Sequence, residues 1–230
     1  MFGARNKDKK ENFSSVSYSQ CGEDIIIDFI FRCLNISKPV YLDIGAHHPY
    51  YLSNTAFFYL KGSTGVNIEP DPQLFEVIKK ERPKDINLNV GVSDTSGSSA
   101  DFYIMNVPTL NTFSKAEADR YAAYDGKKIV QVVKTPLQTV SSIIEKYLHN
   151  VSPNLVSIDV EGMDMVIVRS FDFEKYKPEI FCVETLTYSE NNTEVKQKEI
   201  IKYIEDKGYL LFADTYMNSV FVNKEKWSRR

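Results

Sequence analysis

The feature that most constrains this chain is a rhythm of short apolar runs, each closing on a glycine or an acid and each followed by an amphipathic segment. PVYLDIGAHH, GVNIEP, INLNVGVS, NLVSIDV and EIFCVET are five such runs. Each reads as a buried strand bounded by turn residues. Strands separated by helical segments must run parallel, because a parallel pair needs a crossover. The last two runs, GYLLFADT and MNSVFVN, are separated by little more than a turn, which predicts an antiparallel pair. The expected fold class is α/β: a doubly wound, Rossmann-like sheet of seven mostly parallel strands with one antiparallel strand.

The predicted helices complete the layout. In SQCGEDIIIDFIFRCLN, Ser19 is a candidate N-cap, and Ile25, Ile26, Phe29, Ile30, Cys33 and Leu34 form one stripe. Further helices are expected near Asn54–Leu60, over DPQLFEVIKKERP, over Leu137–Leu148, after Glu161-Gly162 and near Thr193–Lys207. Asp71-Pro72 opens the second of these, since proline is tolerated at the first helical position. Residues 94–135 break the rhythm with a Gly/Ser turn, the short strand DFYIM, an irregular stretch, and IVQVVKTP with strand composition. This reads as a β-rich insertion, and long irregular pieces in compact domains tend to be functional.

Composition limits the partners. The chain has 230 residues, 43% of them hydrophobic and 26% charged, with mean hydropathy −0.31, and one globular domain accommodates that length. The net charge of −3 divides into +3 over residues 1–10, +3 over 224–230, and −9 over the body between them. An acidic body is ill suited to gripping a phosphate backbone, so no nucleic-acid partner is expected. The expected organisation is a basic tail at 1–17, one domain at 18–223 and a basic tail at 224–230, both tails read as frayed solubilising ends. Cys21, Cys33 and Cys182 are odd in number, widely spaced and without metal-ligand spacing, which suits a reducing, cytoplasmic setting. No apolar run is long enough for a transmembrane segment, and homo-oligomerisation stays open.

In an open sheet of this kind, ligands sit outside the carboxyl ends of the strands, where Asp43, Gly45, Glu69, Asp159 and Glu184 all fall. A dinucleotide site wants three glycines in its first turn, and LDIGAHHPYYLSN has one, which weakens the alternative of an NAD(P)-dependent oxidoreductase. A carboxylate before that turn repels pyrophosphate but suits a cationic group. Glu69, ending the second strand, can accept bonds from both hydroxyls of a ribose. An uncharged adenosine ribose carrying a cationic tail satisfies both acids.

These residues carry a resemblance. YSQCGED, YLDIGAHHPYYLSNT, GVNIEP, INLNVGVS, LNTFS, VSIDVEGMD and FCVE, in this order and spacing, resemble the FkbM family of S-adenosylmethionine-dependent methyltransferases from about Tyr18 to Asn223. The resemblance implies a Class I methyltransferase fold with strand order 3-2-1-4-5-7-6. It also implies transfer to a hydroxyl, often of a sugar or polyketide, and here a glycan-type acceptor is expected. A non-catalytic cofactor-binding domain is the further alternative, since fold alone does not guarantee chemistry.

Asp43, Gly45 and Ala46 would orient the donor's amino-acid end, and Glu69 would hold its ribose. Gln20 and Glu23 would lid it, and Ser53 and Asn54 either touch it or cap the following helix. Val92 would wall the adenine, with Ser93 or Asp94 on its amine. His47 and His48 face the methyl donor and are candidate bases, as are Asp159 and Glu161, which alternation points to one side of their strand. With Glu184, the last two could converge on Mg²⁺. Acceptor choice is expected in the insertion, around Thr109–Ser114.

Overall fold

Parallel strands crossed by helices are what the apolar rhythm builds in the computed structural model, which describes residues 14–230. The basic residues Arg5, Lys7, Lys9 and Lys10 of the expected N-terminal tail lie outside the described residues. In chain order the strands are β1 (Tyr41–Ile44), β2 (Gly65–Ile68), β3 (Ile86–Leu88), β4 (Gly91–Val92) and β5 (Ser99–Met105). They continue with β6 (Ile129–Gln138), β7 (Leu155–Ile158), β8 (Ile180–Glu184), β9 (Tyr209–Asp214) and β10 (Asn218–Asn223). The helices are α1 (Glu23–Cys33), α2 (Ala56–Leu60), α3 (Pro72–Glu81), α4 (Lys115–Ala122), α5 (Val140–Tyr147), α6 (Asp164–Ser170), α7 (Lys198–Asp206) and α8 (Lys224–Ser228).

The main sheet runs β3-β2-β1-β7-β8-β10-β9. Counting its own strands, that is 3-2-1-4-5-7-6, with β10 antiparallel to both β8 and β9 and the other pairings parallel. One face buries Leu42, Ile44, Val66, Ile68, Val156, Ile158, Phe181 and Val183 against α5, α6 and α7. The other buries Tyr41, Leu155, Ile180, Cys182 and Val220 against α1 and α2. Because strand side chains alternate, Asp43 falls on this second face with Tyr41, opposite Asn67 and Ser157 in register. A second sheet, β4-β6-β5, carries a small core of its own in Met105, Leu110, Ala118 and Tyr121.

Several boundaries differ from the sequence expectations, each for a local reason. INLNVGVS is split into β3 and β4 because the Asn89 amide turns back to donate to the carbonyls of Glu69 (2.8 Å) and Pro70 (2.9 Å). The helix expected over Leu137–Leu148 starts at Val140, since Leu137 and Gln138 still pair with β4 and Thr139 caps the helix through the Ser142 N–H at 3.1 Å. Residues 193–197 are extended rather than helical, held by the bridge Leu186–Lys196 and the bond from Gln197 N–H to the Thr185 carbonyl.

The leading helix is rotated from the expected stripe. Its buried residues are Glu23, Asp24, Ile27, Ile30 and Phe31, while Phe29 is exposed. Two buried acids at one end set that rotation. Its N-cap is Gly22 in a left-handed conformation (φ 89°), although the Ser19 hydroxyl still accepts the Asp24 N–H at 3.3 Å. The basic stretch 224–230 is not a frayed tail. Asn223 caps α8 through the Lys226 N–H (3.1 Å), Lys226 reaches Glu179 (2.5 Å), and Trp227 packs on Phe212 at 5.2 Å between centroids.

Candidate active site

A cavity of about 330 Å³ opens above the carboxyl ends of β1, β2, β7 and β8. Its floor is made by Ile44, Gly45, Ile68, Glu69, Asp159 and Glu184, and its roof by the insertion through Phe102, Pro108–Asn111 and Phe113. Val92, Gln20, His47 and Glu161 also line it, as do Leu186–Tyr188, which sequence reasoning missed. Four carboxyl groups face this space, and its lining contains no lysine or arginine.

Glu69 forms the first half of the site. It is 5% exposed; one oxygen accepts the His47 N–H and the other the Asp71 N–H, both at 2.8 Å. Burial pushes its pKa up to about 8 against those two bonds, with the charges of Asp71 and Asp43 adding to the rise. Asp71 spends one oxygen capping α3 through Gln73 N–H (2.8 Å) and accepts Asn111 of the insertion on the other (2.9 Å). The roof is thereby tied to the loop that holds Glu69.

Asp159, Glu161 and Glu184 form the second half, with one carboxylate oxygen from each lying within 4.8 Å of the others. Burial pushes Asp159 up to about 7, reinforced by Asp164, Asp43 and Glu23. Burial and the neighbouring Asp159 push Glu161 well up despite the hydrogen bond from Tyr121. Burial, Asp159 and Glu161 do the same to Glu184. Asp164, the first residue of α6, is raised to about 6 by burial and keeps Oδ2 without a hydrogen-bond partner.

The turn that carries Glu161 is conformationally demanding. Glu161 has φ 50° and Gly162 φ 91°, and a β-carbon on Gly162 would meet Glu117 of α4 at 2.8 Å. Left-handed backbone on a non-glycine residue persists only where the surroundings impose it. The insertion does so: Thr112 Oγ1 donates to the Glu161 carbonyl (2.7 Å) and the Tyr121 hydroxyl to its Oε2 (2.9 Å). Tyr121 reads in sequence as helix packing; nothing local marks it as a partner of a residue forty positions away.

The remaining expected site residues are distributed as follows. Gly45 lines the cavity, but its lack of a side chain is demanded by the protein itself, since a β-carbon would collide with the Asp159 carbonyl oxygen. Asp43 does not line the cavity. Its Oδ2 accepts Thr55 Oγ1 at 2.6 Å, Thr55 accepts Arg82 at 3.0 Å, and Arg82 pairs with Asp85 at 2.8 Å. Burial raises the pKa of Asp43 while Thr55 and Arg82 oppose the rise. Ala46 lies beneath the surface, donating to the Ile68 carbonyl. Ser53 accepts the Ala56 N–H (3.1 Å) at the start of α2, and Asn54 donates to Ser157 (3.2 Å), so both serve the scaffold.

Glu23 is fully buried away from the cavity. Burial works to raise its pKa, but bonds from Thr215 (2.6 Å), Cys21 N–H (2.8 Å) and Asn218 (3.0 Å) hold it below the ordinary range. Ser93 and Asp94 bond each other at 3.1 Å in a turn outside the lining, whereas Val92 is part of it. His47 faces the cavity with Nδ1 buried and unpartnered, its pKa lowered by burial and by His48. His48 does not: its Nδ1 accepts the N–H groups of Tyr50 (3.2 Å) and Tyr51 (3.0 Å), which makes it a turn residue.

A seven-stranded sheet in this order, with a cavity at the carboxyl ends of its parallel strands, defines the fold as Rossmann-like. The chain belongs to the FkbM family of S-adenosylmethionine-dependent methyltransferases, matching the methyltransferase FkbM domain over residues 43–211. No curated protein matches the chain. Among solved structures it is similar to methyltransferase FkbM from Methylobacillus flagellatus, at 10% identity and TM-score 0.45, covering 81% of this chain and 44% of that one. A TehB-like S-adenosylmethionine-dependent methyltransferase from Corynebacterium glutamicum shares 10% identity, at TM-score 0.43 and 88% coverage of both chains. Fibrillarin from Aeropyrum pernix, solved with bound S-adenosyl-L-methionine, shares 12% identity at TM-score 0.39, with 81% of this chain and 65% of that one covered. The chain thus spans less than half the length of the FkbM structure it resembles.

Proposed function

We propose that this protein transfers the methyl group of S-adenosylmethionine to a hydroxyl of a neutral sugar or glycan-type small molecule. The observation that carries the reading is one cavity holding a buried acid at the end of β2 and a carboxylate trio at the ends of β7 and β8. The donor supplies a methyl group on a sulfonium, already activated for displacement. Glu69 offers the carboxylate that two ribose hydroxyls require, Val92 an apolar wall for the base, and Gln20 and Gly45 line the same recess. Asp43 acts one step back, bracing β1 and its turn through Thr55 and Arg82.

On the acceptor side the residues align a hydroxyl, exclude water and remove a proton. Asp159, raised to about 7, has the affinity to take that proton near neutral pH, and Glu161 and Glu184 stand beside it. His47 is the alternative proton acceptor, while His48 is committed to its turn. The transferred methyl then ends on oxygen, and S-adenosylhomocysteine leaves. Four carboxyls without a lysine or arginine favour an uncharged polyol over a phosphorylated or acidic acceptor.

Three free cysteines support a reducing, cytoplasmic setting. Among the described residues, no helix is long and apolar enough to cross a membrane. The test of the reading is thermal shift with S-adenosylhomocysteine against NADH, followed by labelled methyl transfer to a panel of glycans. Stabilisation by the first ligand alone is expected; stabilisation by NADH alone contradicts the proposal.

A further inference from the structure

We propose that Asp159, Glu161 and Glu184 bind one hard divalent cation, Mg²⁺ or Mn²⁺, at the acceptor side of the cavity. The inference deepens the methyltransferase reading and rests on it for the cation's role in the reaction.

A cluster of acids is common and by itself means little. Here Glu184 adds an observation of its own. It comes from β8, whereas Asp159 and Glu161 come from the turn after β7, and it is only 9% exposed. Its carboxylate makes no hydrogen bond or ion pair with any described residue, yet it reaches to within 4.8 Å of the other two. Asp164, at the start of α6 and outside the cavity lining, leaves Oδ2 buried and unpartnered as well. An acid that is to be ionised out of water needs a counter-charge or a full set of donors, and no described residue supplies either to Glu184. Elsewhere in the same fold the need is met, since Asp85 has Arg82, Tyr41, Asn67 and the Gly65 N–H around it.

The chemistry of the donor set narrows the ion. All three groups offer oxygen and none offers thiolate, which selects a hard cation. Two oxygens on one ion are at most about twice a bond length apart, ~4.2 Å for Mg²⁺ and ~4.8 Å for Ca²⁺, so small side-chain rotations close the present spacing. Three protein ligands leave coordination positions for water and for an acceptor hydroxyl. A cation there would supply a lower hydroxyl pKa and a fixed orientation for that hydroxyl, and with Asp159 engaged as its ligand the proton acceptor would be His47. Tyr121, donating to Glu161 at 2.9 Å, orients one ligand from behind.

The test uses the full chain, freed of metal by EDTA dialysis and titrated with Mn²⁺ by calorimetry and electron paramagnetic resonance. One saturable Mn²⁺ per chain is expected, displaced by Mg²⁺. Glu184→Gln and Asp159→Asn should each weaken Mn²⁺ binding by at least about tenfold, and Tyr121→Phe by less. Circular dichroism and metal-free Tm show whether each variant folds; if Glu184→Gln does not, Glu184→Asp, which withdraws the carboxylate, carries the same expectation. Absence of saturable binding in the wild type, or wild-type affinity in the folded variants, overturns the site. Titration with S-adenosylhomocysteine in EDTA separates the two claims. Donor binding and methyl transfer without Mn²⁺ binding remove the cation alone, whereas Mn²⁺ binding without donor binding removes the methyltransferase reading and leaves the site.

Discussion

Two groups of acids flank the central strands, and they are treated in opposite ways. On the α1/α2 face, Asp43 and Asp85 are enclosed by Thr55, Tyr41, Asn67 and the fully buried Arg82, so the acids there have donors and a counter-charge. At the carboxyl ends of the same sheet, Asp159, Glu161 and Glu184 share a cavity whose lining has no basic side chain. The first arrangement is what a scaffold needs. In the second, Glu184 is buried with neither donor nor counter-charge while Asp159 and Glu161 stand partly open to the cavity, an arrangement suited to an incoming ligand. Glu69 lies between these extremes, with two backbone donors and no counter-charge.

The comparison is broken most forcefully at Arg82. Arg82→Met leaves Asp85 buried without its cation, which should cost roughly 3–5 kcal/mol of stability. Urea denaturation measures it, and a loss under 1 kcal/mol would show that the network is not structural in this sense.

Glu69 sharpens the comparison through pH. Its folded pKa of about 8 lies above the ordinary value of 4.5, so the folded chain holds a proton that the unfolded chain releases between those values. The Glu69 contribution to stability is therefore fully present below about pH 4.5 and is lost as pH rises toward 8. Because ribose hydroxyls call for the ionised form, affinity for S-adenosylhomocysteine should rise with pH up to about 8 and then level off. Glu69→Gln should weaken that affinity by about tenfold, in line with loss of a charged hydrogen bond, and abolish its pH dependence. Calorimetry at several pH values, with wild type and variant side by side, isolates this one group from other titrating acids.

The smallest expected effect is at Tyr121. Tyr121→Phe removes one hydrogen bond to Glu161, worth about 1 kcal/mol. It should loosen the left-handed turn that joins the insertion to the trio, so kcat falls while affinity for S-adenosylhomocysteine is unchanged. A variant that loses donor affinity instead would place Tyr121 on the wrong side of the cavity.

Much of this arrangement could be read before any coordinates, and the division between what could and could not is physical. Apolar runs, Asp71-Pro72 and the glycine turns are local signals, and they sufficed for the parallel strands, the closing antiparallel pair and the acids Glu69, Asp159 and Glu184 at strand ends, while the strand order came from the family resemblance. The family resemblance supplied the donor. What escaped depends on tertiary convergence. Arg82 and Asp85 look like an ordinary surface pair three residues apart, and their burial comes from Tyr41 and Thr55 in other elements. Glu23 looks like a dipole-complementing acid at a helix start, and it is Thr215 and Asn218, nearly two hundred residues on, that bury it. Asp43 precedes the glycine turn and so invites a ligand role, but strand alternation turns it to the far face. His47 and His48 are adjacent and equivalent in sequence; only the turn geometry separates the one facing the cavity from the one bonding its own loop.

The central claim is that the trio at the end of β7 and β8 performs the acceptor chemistry. The most direct test is labelled methyl transfer by Asp159→Asn, assayed at saturating S-adenosylmethionine on a glycan that the wild type methylates. The expected result is a fall in kcat of about 10²- to 10⁴-fold, with S-adenosylhomocysteine binding intact. Transfer at the wild-type rate by a folded variant with full donor occupancy would contradict the account.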